Sequence, residues 1–520
     1  MKLFSKNKKH LFLSVACSFS CLCLSAQVDS YAALELQQEL SFWKQGANPA
    51  GAWLDNPLTF SDIAFNMDYE NGNFHRPMEG KSIRTIGLKT EGVVLLKKHY
   101  LKGFFNYTNR NVNEEGYNTS FIDPYRGMPY GVVDLNHSDW KNQYYDMGVR
   151  WAYPGLLHKW NVGIDLNYHA HSAAKQRDVR ADIRYMMLEV RPGITWSIKE
   201  NHHIGAYLNY YSTKEEANNM NVNNYVSQEY YELNGLGNAV QGIGTGRTTN
   251  YTGDNFGAGI DYSWTKGSSE LLISSAYNLK AEKAEASFSL PRKVGSVRHA
   301  IWDNHLKFYT RSSGNFGHLI KLDYIYSEIK GVEYITQRDN TQEQSGWQTI
   351  YAGVRSKYKK QNMGINYSLI AHRKEEYKWL AKMAISYLTL ADVYLIPASE
   401  KKIDNWVAKA TFKRNIMFSG ASTPRLLLSA EAIVNKNSAG SYIYSGEHPT
   451  YITVTEIEQG DYNYLESDYW GVNLVANYSQ SIQAESNLRW YISGYFNYLK
   501  TDNLDFNNRK KMGVTVGCIF

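Results

Sequence analysis

Long apolar runs, prolines and cysteines are all scarce in this chain of 520 residues. The mean hydropathy is −0.48, and the composition excludes a membrane protein built of α-helices, which would need apolar runs of about 20 residues. The chain contains 11 prolines and no block of like charge, while aromatic residues make up 14% of it. That aromatic content is too high for a disordered chain. What remains is a folded protein without membrane-spanning helices.

The first 26 residues are a predicted secretory signal peptide. A basic start with four lysines precedes an apolar stretch over residues 11–24, as export signals require. Leu24, Ser25 and Ala26 supply a cleavage site, so we expect the mature chain to begin at Gln27. The alternatives are an uncleaved anchor and a lipoprotein signal, although the cysteines here lack a good lipobox.

Cleavage would change both the charge and the cysteine content of the chain. The whole sequence has a formal net charge of +6, and loss of four lysines and no acid lowers it to +2. So small an excess does not favour a nucleic-acid partner, which needs a clustered basic face. Of four cysteines only Cys518 would remain. The mature protein therefore has no intrachain disulfide and no cysteine-based metal site.

Apolar and polar residues alternate from about residue 57 to the end of the chain, which is the pattern of β-strands. Clear examples are residues 162–169, 470–478 and 487–498. The apolar face often ends in Tyr or Trp, and the opposite face carries Gly, Asn, Ser and scattered charges. Aromatic belts and a wet interior are typical of outer-membrane barrels. We predict an all-β protein, a transmembrane antiparallel β-barrel over residues 57–520, with a soluble β-sandwich as the alternative.

The sequence predicts a β-barrel more clearly than it predicts how many strands the barrel has. The alternating segments, which include 348–359 and 361–373, are odd in number, whereas bacterial barrels have even numbers. The long connections at 111–140, 214–254, 329–347 and 437–465 should all lie outside the cell. With this odd count the last two cannot both lie there, so at least one strand between 329 and 466 is misread or missed. We predict about 18 strands, within a range of 14 to 20.

Residues 27–56 precede the barrel and differ from it in pattern. Leu36, Leu40 and Trp43 have the spacing of one helix face. A short amphipathic helix is predicted here. It would either plug the lumen or cover the periplasmic opening, and the alternative is a frayed periplasmic tail.

Charged residues on the polar faces of the strands are predicted to point into the lumen. Arg or Lys on the lipid face would cost about 2–4 kcal/mol at the bilayer midplane, so the inside is favoured. They would form either an internal salt-bridge network or a path for a polar solute. The candidate lumen charges are Arg150, Asp165, Lys321, Asp323, Arg355 and Arg489.

The carboxy terminus resembles the terminal-strand signal that the barrel assembly machinery reads, with apolar residues at alternate positions and a final aromatic. An ordinary edge strand ending in Phe is the alternative. The residues that carry the resemblance are Met512, Val514, Val516, Cys518 and Phe520.

Near the start, Asn48, Pro49, Ala50 and Gly51 resemble the Asn-Pro-Ala-Gly element before the first strand of the long-chain fatty acid transporter superfamily. An ordinary turn has the same composition. The whole layout, with Phe-Trp at 42–43, is also similar to uncharacterised outer-membrane barrels of Bacteroidota. That resemblance implies an outer-membrane location in a Gram-negative cell but no substrate.

Other motifs give no chemical site. The glycines between 235 and 246 lack the strand, helix and lysine of a phosphate loop and predict a flexible loop, whose Tyr225, Tyr230 and Tyr231 could stack on a sugar or partner. His169 with His171, and His202 with His203, suggest a metal, but the sequence places no carboxylate beside them. No hydrolase motif is present. We therefore predict no enzyme, metal or cofactor.

The function expected from these features is porin-like passage of a small solute or hydrophobic molecule across the outer membrane. The alternative is a non-conducting platform or accessory subunit of a secretion or uptake complex. Expected partners are outer-membrane lipid and lipopolysaccharide, the assembly machinery and, for the platform, a secretion or uptake protein.

Overall fold

The computed structural model describes most of the chain from Ser30 to Phe520. The described segments are 30–43, 46–55, 59–156, 159–223, 225–244, 248–287, 290–312, 314–339, 346–420, 422–482 and 488–520. The predicted signal peptide and its cleavage site at Ala26 and Gln27 lie outside these residues. No helix within these segments is long and apolar enough to cross a bilayer.

Eighteen antiparallel strands form one closed sheet, as the sequence predicts, and three more form a small inner sheet. The inner strands are β4 Val132–Asp134, β9 Gln228–Gly235 and β10 Asn238–Gly244. The wall strands are β1 Phe60–Gly72, β2 Ser82–Leu96, β3 His99–Glu115, β5 Ser138–Leu156, β6 Trp160–Lys175, β7 Arg180–Lys199, β8 His202–Met220, β11 Thr249–Lys266, β12 Ser269–Ala286, β13 Arg292–Arg311, β14 Phe316–Asp339, β15 Gly346–Arg373, β16 Glu376–Leu395, β17 Ala398–Met417, β18 Arg425–Ile443, β19 Tyr469–Ser481, β20 Arg489–Thr501 and β21 Asn508–Ile519.

The odd count of predicted segments has one cause. Segments 348–359 and 361–373 are a single strand, β15, which pairs without interruption at residues 359–361 with β14 and β16. Lys359, Lys360 and Gln361 look like a polar turn in sequence, but they continue the strand. Merging the two segments gives the even number of strands that closure by hairpins requires.

The first and last wall strands close the sheet. β1 pairs with β21 from Asp62 opposite Ile519 to Gly72 opposite Arg509. A closed sheet leaves no edge of unpaired backbone groups, and such an edge would cost several kcal/mol per group in lipid. The wall is thus held by its own hydrogen bonds, without disulfides.

The outer face of the wall is apolar. Leu208, Phe256 and Met383 are 61 to 68% exposed on it, where water would make such exposure unfavourable. Trp160 and Trp196 stack at 5.6 Å on the same face. This is the surface of a transmembrane barrel, with aromatic side chains near its border.

The two ends of the barrel differ. At the short-turn end, the connections are brief, as at residues 97–98 and 374–375. The first residue of β1 and the last residue of β21 also lie at this end. The four long connections predicted from the sequence all begin and end at the opposite, long-loop end. The corrected strand count removes the conflict between them.

Both ends are filled from within. We call residues 30–43 and 46–55 the plug, because they pack inside the short-turn end against residues such as Tyr100, Ala152 and Tyr491. We call residues 116–137, 225–244 and 444–468 the cap, because they fold into the long-loop end. The cap contains the inner sheet, a π-helical turn Thr453–Glu458 and helix α2, Gln459–Glu466.

Candidate functional site

The plug begins with helix α1, Tyr31–Leu40. Ser30 starts it, because its hydroxyl accepts a hydrogen bond from the Ala33 amide at 3.1 Å. Leu36 packs against the wall with Ala32, as the predicted stripe implies. Trp43, the third member of that stripe, lies beyond the helix end, since Ser41 is already extended.

Two glutamates fix helix α1 to the wall. Glu39 pairs with Lys321 at 2.9 Å and with Lys382 at 3.1 Å. Glu35 accepts a hydrogen bond from Tyr377 at 2.6 Å and pairs with Lys413. These contacts lie on β14, β16 and β17, so they join the helix to one side of the barrel.

The ion pairs of Glu39 change its titration. Burial alone would raise the pKa of its carboxyl group, but the charges of Lys382 and Lys321 outweigh burial and lower the pKa to about 2. Glu39 is therefore ionised at any physiological pH, and both lysines keep their partner.

The chain after α1 is folded back on itself. Asp55 Oδ1 accepts hydrogen bonds from the backbone amides of Phe42 and Trp43, both at 3.0 Å. Lys307 donates to the Ser41 carbonyl at 2.6 Å and lies 4.6 Å from the Phe42 ring centroid. The predicted Phe-Trp pair is thus buried in the lumen, with each aromatic side chain 2% exposed.

The Asn-Pro-Ala-Gly element forms a short 3-10 helix, Pro49–Trp53. Asn48 Oδ1 accepts from the Ala50 amide at 3.1 Å, and its Nδ2 donates to Asp261 at 3.0 Å. Nδ2 also donates to the backbone carbonyl of Ile194 at 3.2 Å. Asn48 therefore both caps the turn and attaches it to the wall.

Three wall glycines make the seat for this turn. A Cβ at Gly163 would lie 2.6 Å from the Ala50 amide nitrogen, and one at Gly193 would lie 2.7 Å from Pro49 Cδ. A Cβ at Gly205 would lie 2.6 Å from Asn48 Nδ2. A side chain at any of these positions would collide with the turn, so the close approach of the turn to the wall explains the three glycines.

The predicted lumen charges are found in several separate contacts. Arg150 makes a bidentate pair with Asp165, with both N···O distances 2.7 Å, and Lys321 contacts the plug. Asp323 lies 2.6 Å from His305 Nδ1. These four positions share the inner face of the wall.

The other two predicted charges lie near the barrel ends. Arg489 is buried at the short-turn end and donates to Thr423 and Ser481. Arg355 lies at a bulge, where the pairing of β15 with β14 shifts, and its guanidinium is 5.7 Å from the Tyr351 ring centroid. The six residues do not form one continuous path.

Arg126 holds the first cap segment to the wall. Its guanidinium is 2.7 Å from Glu282 and 3.1 Å from Glu215. It also lies 5.0 Å from the Phe121 ring and 5.2 Å from the Tyr251 ring. Burial alone would lower the pKa of Arg126, but the two glutamates outweigh burial and raise it.

The glycine tract belongs to the cap and is not the flexible loop that we predicted. β9 and β10 form a hairpin through Leu236 and Gly237, both with positive φ, and β9 also pairs with β4. Glycine permits that turn geometry. Tyr230 and Tyr231 are buried there, whereas Tyr225 is fully exposed. Gly246 lies outside the described residues.

Helix α2 closes the cap against the wall. Asp461 lies 2.6 Å from Arg76 and 2.8 Å from Lys401. Burial alone would raise the pKa of Asp461, but Lys401 and Arg76 outweigh it and lower the pKa to about 2. Glu458 adds a second contact to Lys401 at 2.7 Å.

Among the residues that the structure describes, cavities lie beneath the cap. One has a volume of 470 Å³, and its lining includes Arg110, Glu115 and Lys280. Another has a volume of 520 Å³, and its lining includes His299 and Leu388. Space for small molecules therefore exists inside the barrel, in surroundings with charges of both signs.

The histidine pairs have different neighbours. Asp146 on β5 lies opposite His169 on β6 and contacts both His169 and His171. Sequence alone could not place that carboxylate, because it depends on the register of two strands. His202 and His203 instead contact Tyr262 and Ser197 hydroxyls.

The terminal strand lies in the wall as an ordinary member of the barrel. Met512, Val514 and Val516 are 46 to 49% exposed on the outer face, and the Phe520 amide donates to the Ser61 carbonyl at 2.9 Å. Cys518 is a half-buried free thiol.

Residues 49–520 match the model of a protein family described as a family of unknown function, DUF6850. The chain belongs to this family. No curated protein matches the sequence. The family match begins within the Asn-Pro-Ala-Gly turn and includes the whole barrel wall.

Solved structures with similar folds are distant. The ferric preacinetobactin receptor BauA of Acinetobacter baumannii has 9% identity and a TM-score of 0.40, covering 88% of this chain and 80% of its own. The outer membrane transporter YddB of Escherichia coli has 7% identity and a TM-score of 0.39, with coverages of 88% and 80%. OccAB3 of A. baumannii has 9% identity and a TM-score of 0.34, covering 89% of this chain and 99% of its own. Such similarities carry no argument about substrate.

Proposed function

We propose that this protein is a gated outer-membrane barrel that lets a small polar solute cross when the plug and the cap move. The proposal rests on the chain's own geometry: an apolar outer face, a charged interior with cavities, and fillings at both ends held by polar contacts. It assigns the protein a transport role rather than a catalytic one.

The proposed membrane location and orientation are supported by features of the wall. Its apolar outer face needs lipid, and closed barrels of this kind occur in outer membranes. Short turns there face the periplasm and long loops face the outside, so the plug would close the periplasmic mouth. Lipid and lipopolysaccharide would surround the wall, and the barrel assembly machinery would recognise the terminal strand.

The observation that carries the proposal is the pairing of Glu35 and Glu39 with wall residues. These contacts attach helix α1 to the lumen wall through side chains alone, with no strand pairing between the helix and the wall. Ion pairs can exchange for water at modest net cost, because much of their attraction is offset by desolvation. A plug held this way can leave or shift while the wall stays folded.

Solute-induced swelling of proteoliposomes tests the proposal. The variant Glu35→Gln/Glu39→Gln weakens the contacts of α1 with Lys413, Lys321 and Lys382, and it should admit small sugars faster than wild type. A further deletion of residues 118–133 should raise the rate again. Glu431→Gln is the control, since Glu431 lies on the lumen face and contacts Thr411.

Swelling limited to the plug and cap variants would support gated passage of polar solutes. If all variants stay impermeable while each runs as a folded, heat-modifiable barrel, the channel proposal is wrong. Uptake of apolar but not polar solutes would favour the hydrophobic-molecule alternative.

One observation favours the alternative role as a platform. The hairpin of β14 and β15 continues to Asp339 opposite Gly346, although β13 stops pairing at Glu333 and β16 at Ser356. It thus extends beyond its neighbours at the long-loop end, with Ile350 63% exposed. An extended hairpin with free edges can add a strand from a partner.

A further inference from the structure

We propose that Asp146, His169 and His171 form a binding site for one divalent transition-metal ion on the lumen wall. The site is independent of whether the barrel conducts. Among the residues that the structure describes, these three form the cluster whose potential ligand atoms lie within 4.8 Å of one another.

The donor set suits zinc and its neighbours in the first transition row. Two imidazole nitrogens and one carboxylate oxygen are ligands that Zn²⁺ and Cu²⁺ accept, whereas Mg²⁺ and Ca²⁺ prefer oxygen alone. Asp146 Oδ1 lies 2.5 Å from His169 Nδ1 and 2.8 Å from His171 Nε2. Ligand atoms around a tetrahedral zinc are roughly 3.3 Å apart, so small side-chain movements would admit an ion.

The strands hold the three ligands in place. His169 and His171 are two residues apart on β6 and share its inner face, and Asp146 lies on the adjacent strand directly opposite His169. The His171 ring packs between Tyr144 at 4.9 Å and Tyr185 at 5.3 Å. Ligands on rigid strands with supported rings are already arranged for binding.

The three ligands can be reached from the lumen side. The three side chains are 17 to 26% exposed, and His171 lines the cavity of 470 Å³. Asn106, opposite Asp146 on β3, has a buried side-chain oxygen without a hydrogen-bond partner. It could accept a hydrogen bond from a water bound to the metal.

Without metal, each imidazole donates the proton on the named nitrogen to Asp146. Metal binding would use those same nitrogens, so each of them must first lose the proton that it donates.

Isothermal titration of refolded, chelator-washed protein without a histidine tag, using Zn²⁺ as the probe, tests the site. We expect one ion per chain at neutral pH, and at least about tenfold weaker binding in Asp146→Asn, His169→Gln and His171→Gln. His299→Gln is the matched control, because His299 contacts a serine hydroxyl, Ser327, at 2.7 Å.

Electron paramagnetic resonance with Cu²⁺ gives a second readout, since coordination by two imidazoles produces nitrogen splittings that each single His variant should reduce. Absence of Zn²⁺ binding by the folded wild type would overturn the proposal. Undiminished binding by folded His169→Gln/His171→Gln would overturn it as well, because the ion would then lie elsewhere.

Discussion

At the scale of single residues, the plug and the cap are held by carboxylates inserted between basic side chains. Glu39 and Asp461 both have a pKa lowered to about 2. Each carboxylate belongs to a segment inside the barrel, and its partners lie largely on the wall or a neighbouring turn. The ion pairs of Glu39 and Asp461 therefore join the plug and the cap to the rest of the barrel.

Acid should release the plug. The folded-state pKa of Glu39 is below its unfolded value of 4.5, so its contribution is complete above that pH and is lost as the pH falls toward about 2. The full difference corresponds to roughly 3 kcal/mol. Hydrogen-exchange protection factors of residues 30–43, corrected for the fall of the intrinsic exchange rate with pH, should decrease in this window. Glu39→Gln should abolish the pH-dependent part, and an unchanged acid profile in that variant would contradict the assignment.

The buried pair of Lys175 and Asp134 gives a second prediction at this scale. Both side chains are 0% exposed, and the shortest N···O distance is 2.7 Å. Lys175→Met would leave a carboxylate without its partner, which typically costs about 3–5 kcal/mol. Thermal unfolding of this variant in detergent should have a lower midpoint than that of wild type. Limited proteolysis should cleave its cap faster. The double variant Lys175→Met/Asp134→Leu should recover much of the lost stability. The prediction is wrong if both variants unfold at the same temperature as wild type.

At the scale of elements, the wall strands were predictable, whereas the inner sheet of the cap was not. In residues 162–169 or 487–498, the alternation of apolar and polar residues indicates which face of the strand meets lipid. This pattern lies within a few consecutive residues, so it can be read without knowing the fold. Helix α1 was also visible in its apolar spacing. The inner sheet was not, because β4 and β9 lie far apart in sequence and pair only inside the lumen. The split of β15 shows that a run of polar residues inside a strand can resemble a turn.

The glycine seat predicts a specific failure of the plug. Gly193→Val would place side-chain atoms where Pro49 and Asn48 now lie, so the Asn-Pro-Ala-Gly turn should leave the wall. Added protease should then cut near residues 46–55 while the barrel remains heat-modifiable. Gly494→Val is the matched control, since a Cβ there meets nothing within 4 Å. Equal protection of the plug in both variants would show that the seat is not needed.

At the scale of the whole molecule, the barrel has a polar lumen that the plug fills at the short-turn end and the cap fills at the long-loop end. Composition and alternation predicted its class, and the even strand number followed from closure. The candidate site could be predicted only in part. Single residues such as Arg150 and Lys321 could be placed by parity, but their partners Asp165 and Glu39 depend on register and on where the plug folds. Neither the register between strands nor the position of the plug can be read from a short stretch of sequence.

Single-channel conductance of charge-exchange variants in planar bilayers tests the central claim, that the plug closes the lumen through its ion pairs. Glu39→Lys would face Lys321 and Lys382 with a like charge, and we predict frequent openings that wild type lacks. Adding Lys321→Glu and Lys382→Glu restores opposite charges and should close the barrel again. Equal conductance in wild type, the single variant and the triple variant would contradict the account.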